Sequence, residues 1–444
     1  MGSYAAGQRA RKKVGRSSHA RVSLAPGRDP IGVIRQQNEQ RISWLVPLRI
    51  ERMSRSPFAF FRGTAAVMAA DLANTPASGS IVQASGDCHL ANFGLFGTPE
   101  RNVIFDLNDF DETLPAPWEW DVKRLATSAV LAARELGANE KESRRAALEA
   151  VRAYRLHMRE LSHVSPLDIW FRRVDAGMFL AVLNPQQARS IERKQRDAAL
   201  RGEHIPPAYV ANRSGKLRFV ENPPLLHHLP HNDVLRGRAR EGLRKYQASL
   251  RDDTRVLFSR YHLRDAAIRV VGVGSVGTHC AIVLFQAGPA DALILQMKEA
   301  GPSVLEPFAG ASHYANHGQR VVAGQRLMQA ASDMFLGWIA LEGGQHYYLR
   351  RFRDRKANAN LERLQTKELH EYASLCGATL ALAHARSGDP GFMAGYMGAS
   401  ARFEEALAEY AVGYADQAQA DYGTFMKALK EGGPSSPLPA QALS

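Results

Sequence analysis

The sequence predicts an α+β fold in which a small antiparallel β-block sits between two helical regions. Three observations carry this expectation. Residues 266–271, 280–285 and 292–297 are short β-branched and apolar runs separated by turns; a helix near 319–332 and strands near 334–341 and 346–352 follow. On either side, 118–161, 360–387 and 398–430 are helical in pattern, with i,i+4 charge pairs over 140–162. The chain has 444 residues, 45% hydrophobic and 23% charged, which is enough to bury cores for two to three lobes. That balance excludes collagen-like, mucin-like and wholly disordered classes.

Residues 1–36 carry Gly, Ser, Arg and Pro without apolar periodicity and are expected to be a disordered basic tail. Residues 1–35 hold eight Arg and Lys against one acid, Asp29, a net +7 of the whole chain's +13. Such an arm is either a solvated tail or a weak, nonspecific contact for nucleic acid or an anionic surface. Residues 37–253 read as a helical lobe. It begins with the amphipathic Ile42, Leu45, Val46, Leu48 and Ile50 and continues through a helix at 64–73. Two short strands, 81–84 and 102–105, flank a polar loop and are expected to form a hairpin-like pair. Residues 254–355 form the β-lobe, 356–430 complete the helical lobe, and 431–444 read as a flexible tail. Three scattered cysteines, Cys88, Cys280 and Cys376, give no disulfide framework, and a reducing, cytoplasmic setting is expected. No run approaches the roughly 18–20 apolar residues of a membrane span, and the start has neither a secretory h-region nor the apolar face of a transit peptide.

Chemistry concentrates in three places. The first is Ser85-Gly86-Asp87-Cys88-His89-Leu90-Ala91-Asn92, followed by Asp106 and then Asp109, Asp111 and Glu112. Oxygen ligands from an amide and carboxylates at this spacing suit Mg²⁺, with Asn92, Asp106 and Asp109 as the metal candidates. Asp87 would take the proton of an attacking hydroxyl. Turn and helix capping is the structural alternative, strongest for Asp109, Asp111 and Glu112 taken singly. The second place is Gly272-Val273-Gly274-Ser275-Val276-Gly277, whose following residues read as a strand rather than a helix. That favours a hairpin loop folded over phosphates above a dinucleotide-binding turn, with a plain glycine turn as the alternative. The third is Lys298, at the end of the next strand and within reach of α- and β-phosphates, unless it only snorkels from a strand edge. The triple-histidine stretch at 226–231 lacks a partner at ligand spacing, and neither a nucleophile elbow nor a Walker-type loop occurs.

Ser-Pro-Phe-Ala-Phe-Phe-Arg-Gly at 56–63, Gly-Asp-Cys-His-Leu-Ala-Asn-Phe-Gly at 86–94, Asp-Leu-Asn-Asp-Phe-Asp-Glu-Thr at 106–113, Trp-Glu-Trp-Asp-Val-Lys-Arg-Leu at 118–125 and Gly-Gln-Arg-Leu-Met-Gln-Ala at 324–330 resemble the bacterial domain of unknown function 2252 family, over about 40–425. More distantly, Gly86 to Asn92 resembles the Gly-Asp-x-His-x-x-Asn catalytic loop of aminoglycoside and choline kinase-like phosphotransferases. That resemblance implies a catalytic role for Asp87 within a motif that includes His89, a metal-binding Asp106, and Asp121 as a brace of the loop. It also implies a phosphate-covering loop at Gly272, Gly274, Ser275 and Gly277, with Lys298 as the strand-borne cation. The order is inverted, since loop and lysine follow the catalytic motif, and 380–385 resembles the helix that normally precedes it. A protein-kinase-like two-lobe fold in circularly permuted order is therefore expected. The expected helix after Lys298 contains no glutamate, so Glu306 is the nearest acidic partner and the adjacent Glu299 is expected to point away. The implied function is an ATP- and Mg²⁺-dependent phosphotransferase for a small hydroxyl-bearing acceptor. The alternatives are a nucleotide-binding pseudokinase or scaffold with a basic arm, and AMP transfer to protein.

Overall fold

The computed structural model describes residues 2–432 apart from 201–209, 214–215, 224, 229–232, 271–275, 289–290, 342 and 353–356. The fold is mixed α+β with small antiparallel sheets. Its strands are β1 (Ile81–Ala84), β2 (Phe93–Gly97), β3 (Val103–Leu107), β4 (Leu114–Pro117), β5 (Val174–Asp175), β6 (Val210–Arg213), β7 (Lys216–Phe219), β8 (Leu226–His228), β9 (His262–Arg269), β10 (Cys280–Gly288), β11 (Asp291–Glu299), β12 (Gly337–Ala340) and β13 (His346–Arg351).

The largest sheet runs β12-β13-β11-β10-β9-β8 and is antiparallel at every pairing. The five strands expected in this block gain a sixth, β8, because Leu226 buries itself beside Ala267 and Ile282. The helix His317–Met328 falls between β11 and β12 in the chain. Alternation along β11 separates its two faces. Leu293 and Leu295 pack with Tyr246, Phe258, Phe285 and Phe335, whereas Ile294 packs with Ile282 and Leu284 on the opposite side. Gln296 and Lys298 continue that second face, so the sheet turns polar at the end nearest the helical region.

The pairing of the early strands differs from expectation. β1 pairs with β4 and β2 with β3, so the expected hairpin of 81–84 with 102–105 does not form. The residues read as a polar loop include Phe93–Gly97, which is buried at every position. The Thr98 N–H donates to Asn102 O at 2.8 Å and closes the short connection from β2 to β3. A nearby apolar strand thus takes β3 as its partner before β1 can.

The amino-terminal segment also departs from expectation. Gly2–Ala10, Arg16–Ala20 and Pro30–Glu39 are helical and docked, not a disordered arm. Its arginines are used structurally. Arg11 Nε donates to Tyr396 O at 2.8 Å and Arg16 to Met397 O at 2.8 Å, which satisfies carbonyls left open at the end of the Pro390–Met397 helix. Arg28 joins two carboxylates, with Nε 2.9 Å from Asp71 Oδ2 and a terminal nitrogen 2.7 Å from Asp421 Oδ1. Removing it strands two acids that are both at least nine-tenths buried. Arg28→Ala is therefore expected to lose about 3–5 kcal/mol of stability, read as a lower urea midpoint. An unchanged midpoint contradicts a docked segment. Of the flexible tail expected at 431–444, residues 433–444 lie outside the described residues.

The helical part is organised around Glu140–Leu161 and Thr366–Ala385, which approach so closely that a Cβ at Gly377 would overlap the Ala150 carbonyl oxygen. Trp118 stacks on Tyr154 with ring centroids 5.6 Å apart, and Tyr154 packs edge-on against His384 at 5.6 Å. This core backs the turn that leaves β1.

Candidate functional site

The site begins where β1 stops. Gly86 has φ +80°, and a Cβ there would overlap the Glu112 carbonyl oxygen, so only glycine serves. The turn is held from below. Asp121, in the first turn of the Trp118–Glu135 helix, accepts from Ser85 N at 2.6 Å and from Gly86 N at 3.0 Å. His384 Nε2 lies 3.1 Å from the same Asp121 carboxylate, and Nδ1 lies 2.9 Å from the Tyr154 hydroxyl. A carboxylate only accepts, so Nε2 carries a proton and donates it to Asp121. The role of loop brace expected of Asp121 matches this geometry.

Above the brace, Asp87 lines a cavity of about 150 Å³ together with Ser85, His89, Asn92, Asp109, Asp111 and Glu112. Arg124 Nε donates to Asp87 Oδ1 at 2.7 Å and a second guanidinium nitrogen also contacts that oxygen. Burial pushes the Asp87 carboxyl up to about 6, and Arg124 restrains the rise. His89 Nε2 stands 3.8 Å from Asp87 Oδ2, and burial, helped by Arg62, holds its imidazole well below the ordinary value and neutral. Asn92 Nδ2 donates to the Asp87 backbone carbonyl at 2.7 Å, so Oδ1 is the Asn92 atom left to meet a cation.

Asp106 lies within β3 and Asp109 and Asp111 follow it, and the structure sorts the three. Asp106, expected as a metal ligand, is 3% exposed and does not line the cavity. Its oxygens accept from Leu107 N and from Ala330 N, both at 2.9 Å, and so tie β3 to the segment after the His317–Met328 helix. In this structure Asp106 serves the backbone. Asp109 does line the cavity, 3.6 Å from Lys298 Nζ. Asp111 receives Lys298 Nζ at 2.6 Å and the Tyr348 hydroxyl at 2.6 Å. Burial opposes its ionisation, but Lys298 and Tyr348 outweigh it and hold the carboxyl down at about 2. Burial likewise works against the Lys298 charge, and Asp109 and Asp111 outweigh it, so the ammonium is held above its ordinary value.

The acidic partner of Lys298 is thus Asp111, not Glu306. Glu306 accepts from Ser303 N at 3.1 Å and faces His317 and Arg320. The helix between β11 and β12 brings Arg320 toward the site, where it donates to Thr113 O at 2.6 Å and Asp111 O at 2.8 Å. Glu299, expected to point away, lines the cavity and also pairs with His279 at 2.8 Å. Gly277 has φ +90°, and its carbonyl accepts from Ile42 N at 2.7 Å. Gly272, Gly274 and Ser275 lie outside the described residues.

Sequence reasoning placed Asp111 and Glu112 in the first cluster without giving either a role, and missed Arg41 as a cavity residue. Burial pushes the Glu112 carboxyl up to about 7, against the pull of the Val304 N–H, which it accepts at 2.7 Å. Among the described residues, four buried polar atoms of the lining have no hydrogen-bond partner: Ser85 Oγ, His89 Nδ1, Arg41 Nε and Arg62 Nε. Unpaired buried polar atoms are costly and rare, and their clustering in one cavity marks a place built to receive a polar ligand. Among the described residues, no three His, Cys, Asp or Glu side chains are grouped to hold a metal ion by themselves, and no helix is long and apolar enough to cross a membrane.

A family model described as an uncharacterized protein conserved in bacteria (DUF2252) matches residues 41–428. No curated protein and no solved structure matches the chain.

Proposed function

We propose, for a chain that belongs to the DUF2252 family, an ATP- and Mg²⁺-dependent phosphotransferase of kinase-like, circularly permuted architecture that acts on a small hydroxyl-bearing molecule. One observation carries the reading. Asp87, Asp109 and Asp111 share the lining of one cavity, and Asp111 holds the buried β11 lysine, Lys298, far away in the chain, at 2.6 Å just behind that lining. Kinase chemistry needs such a meeting of a catalytic carboxylate, a metal-binding carboxylate and a phosphate-binding lysine. The strand order supports it further. The glycine-rich connection joins β9 to β10, the lysine stands on the next strand, and a helix precedes β12.

In this reading the acceptor hydroxyl oxygen bonds the γ-phosphorus. The bond from that phosphorus to the β,γ-bridging oxygen breaks, ADP departs, and the hydroxyl proton passes to Asp87. Lys298 offsets charge on the α- and β-phosphates. Asn92 Oδ1 and Asp109 would hold Mg²⁺. Both line the cavity, and a site of one amide and one carboxylate fits an ion that completes its shell with phosphate oxygens and water. The metal, when bound, neutralises charge between the β- and γ-phosphates. Gly277 and its neighbours would cover the phosphates.

The pH dependence tests the assignment. Asp87 must be ionised to accept a proton, and its carboxyl sits at about 6. The expected kcat/KM for phosphoryl transfer therefore rises tenfold per pH unit below about 6 and levels off above it. A profile flat from pH 5 to 8 contradicts Asp87 as the base.

A second reading is a nucleotide-binding scaffold without transfer. Its support is the His317–Met328 helix, which supplies Arg320 rather than a carboxylate near the lysine. Both readings expect Mg-ATP binding. Only the first expects labelled phosphate on a small molecule, and AMP attached to protein would instead identify nucleotidyl transfer.

A further inference from the structure

Two cavity cations have no part in the scheme above, and they stand on different sides. Arg41 belongs to the β-block side: it donates to the Val276 carbonyl, and Glu112, Asp111 and Glu299 are the carboxylates around it. Arg62 ends the Pro57–Arg62 helix and stands among Asp87, Glu135 and Asp109, with Arg52 as a neighbouring cation and His89 beside it. Arg124 already neutralises Asp87 and also donates to Phe61 O at 3.0 Å. Arg62 is left over, with its Nε buried and without a hydrogen-bond partner among the described residues. A guanidinium is a planar fork of donors matched to carboxylates and phosphates.

We infer that Arg62 receives an anionic group of the acceptor, so that the acceptor is a hydroxyl compound carrying a carboxylate or a phosphate monoester. This rests on the phosphotransferase reading. The location argues for acceptor rather than nucleotide. Arg62 flanks the carboxylate that takes the hydroxyl proton, whereas Lys298, Arg41 and Gly277 gather on the β-block side. His89 Nδ1 and Ser85 Oγ, also unpartnered in the lining, supply neutral hydrogen bonds to the same group. A cationic acceptor of the choline or aminoglycoside type would meet Arg62 with like charge.

The test uses full-length protein, Mg²⁺ and γ-labelled ATP. A bacterial small-molecule extract is divided by anion exchange into anionic and non-anionic pools. Label is expected on a component of the anionic pool. Inorganic phosphate and malonate are added as competitors: stronger competition by phosphate assigns a phosphate monoester, by malonate a carboxylate. Arg62→Gln is expected to raise the apparent KM for the pool at least tenfold with Mg-AMP-PNP affinity within twofold of wild type. Arg62→Lys is expected to recover part of the loss, and Arg41→Gln to weaken the nucleotide instead. Transfer only to the non-anionic pool, or an Arg62→Gln protein that loses nucleotide and keeps its acceptor KM, overturns the inference and leaves phosphoryl transfer standing. A wild-type protein that binds no Mg-AMP-PNP, or that binds it and labels neither pool, removes the phosphotransferase reading and this inference with it.

Discussion

Asp87→Asn is expected to lower phosphoryl transfer by about 10²–10⁴-fold while Mg-nucleotide affinity stays within a few-fold of wild type. Asparagine keeps the shape of the side chain and an oxygen for Arg124, but cannot take the hydroxyl proton. The fold is expected to tolerate it, because the turn does not depend on the Asp87 carboxylate. Ser85 and Gly86 amides are held by Asp121, and Asn92 is bonded to the Asp87 backbone carbonyl. Alanine is the poorer probe, since it leaves the buried Arg124 without its carboxylate. The measurement is single-turnover transfer of labelled phosphate beside calorimetric binding of Mg-AMP-PNP. A variant as fast as its parent eliminates Asp87 as the base. A parent that binds nucleotide and transfers nothing favours the scaffold.

What the chain reveals before folding is what local spacing encodes. The glycine of the turn, Asp87 and Asn92 are within a few residues of one another, and the strand ending at Lys298 is a single apolar run. These were legible. The fate of the carboxylates after β3 was not. Asp106 lies within the strand, opposite Gly94, and is consumed by backbone amides. Asp109 and Asp111 lie beyond its end, where the chain turns into the cavity. Choosing between them requires knowing where β3 stops, and single-sequence patterning places strand ends poorly. The partner of Lys298 is expected in the following helix only because the resemblance implies an acid there. It came instead from Asp111, whose approach depends on how the β-block packs on the early loops. The amino-terminal arginines misled for the same reason: Arg28 reads as solvated charge until Asp71 and Asp421 are brought to it from opposite ends of the chain.

The largest structural effect is expected at Asp121. Asp121→Ala strands three buried donors at once: Ser85 N, Gly86 N and His384 Nε2. Each unsatisfied donor costs about 1–3 kcal/mol, and because the three share one site their losses do not simply add. A loss on the order of 3–5 kcal/mol is expected, seen as a lower urea midpoint. Transfer activity should fall as well, even in conditions where the protein remains folded, because the same carboxylate sets the direction in which Asp87 leaves the turn. His384→Gln provides the intermediate case: it breaks the link to Tyr154 and spares the two backbone bonds, so stability should drop by less and the turn should hold better. The brace also links distant parts of the chain. It ties the turn after β1 to Trp118–Glu135 just downstream and to Thr366–Ala385 near the other end of the chain. The two helices act on the turn through one carboxylate and one imidazole, which position by distance and have no knowledge of chain direction. If Asp121→Ala unfolds at the parental midpoint and transfers phosphate at the parental rate, the turn is held by something else, and the argument that this arrangement positions Asp87 fails.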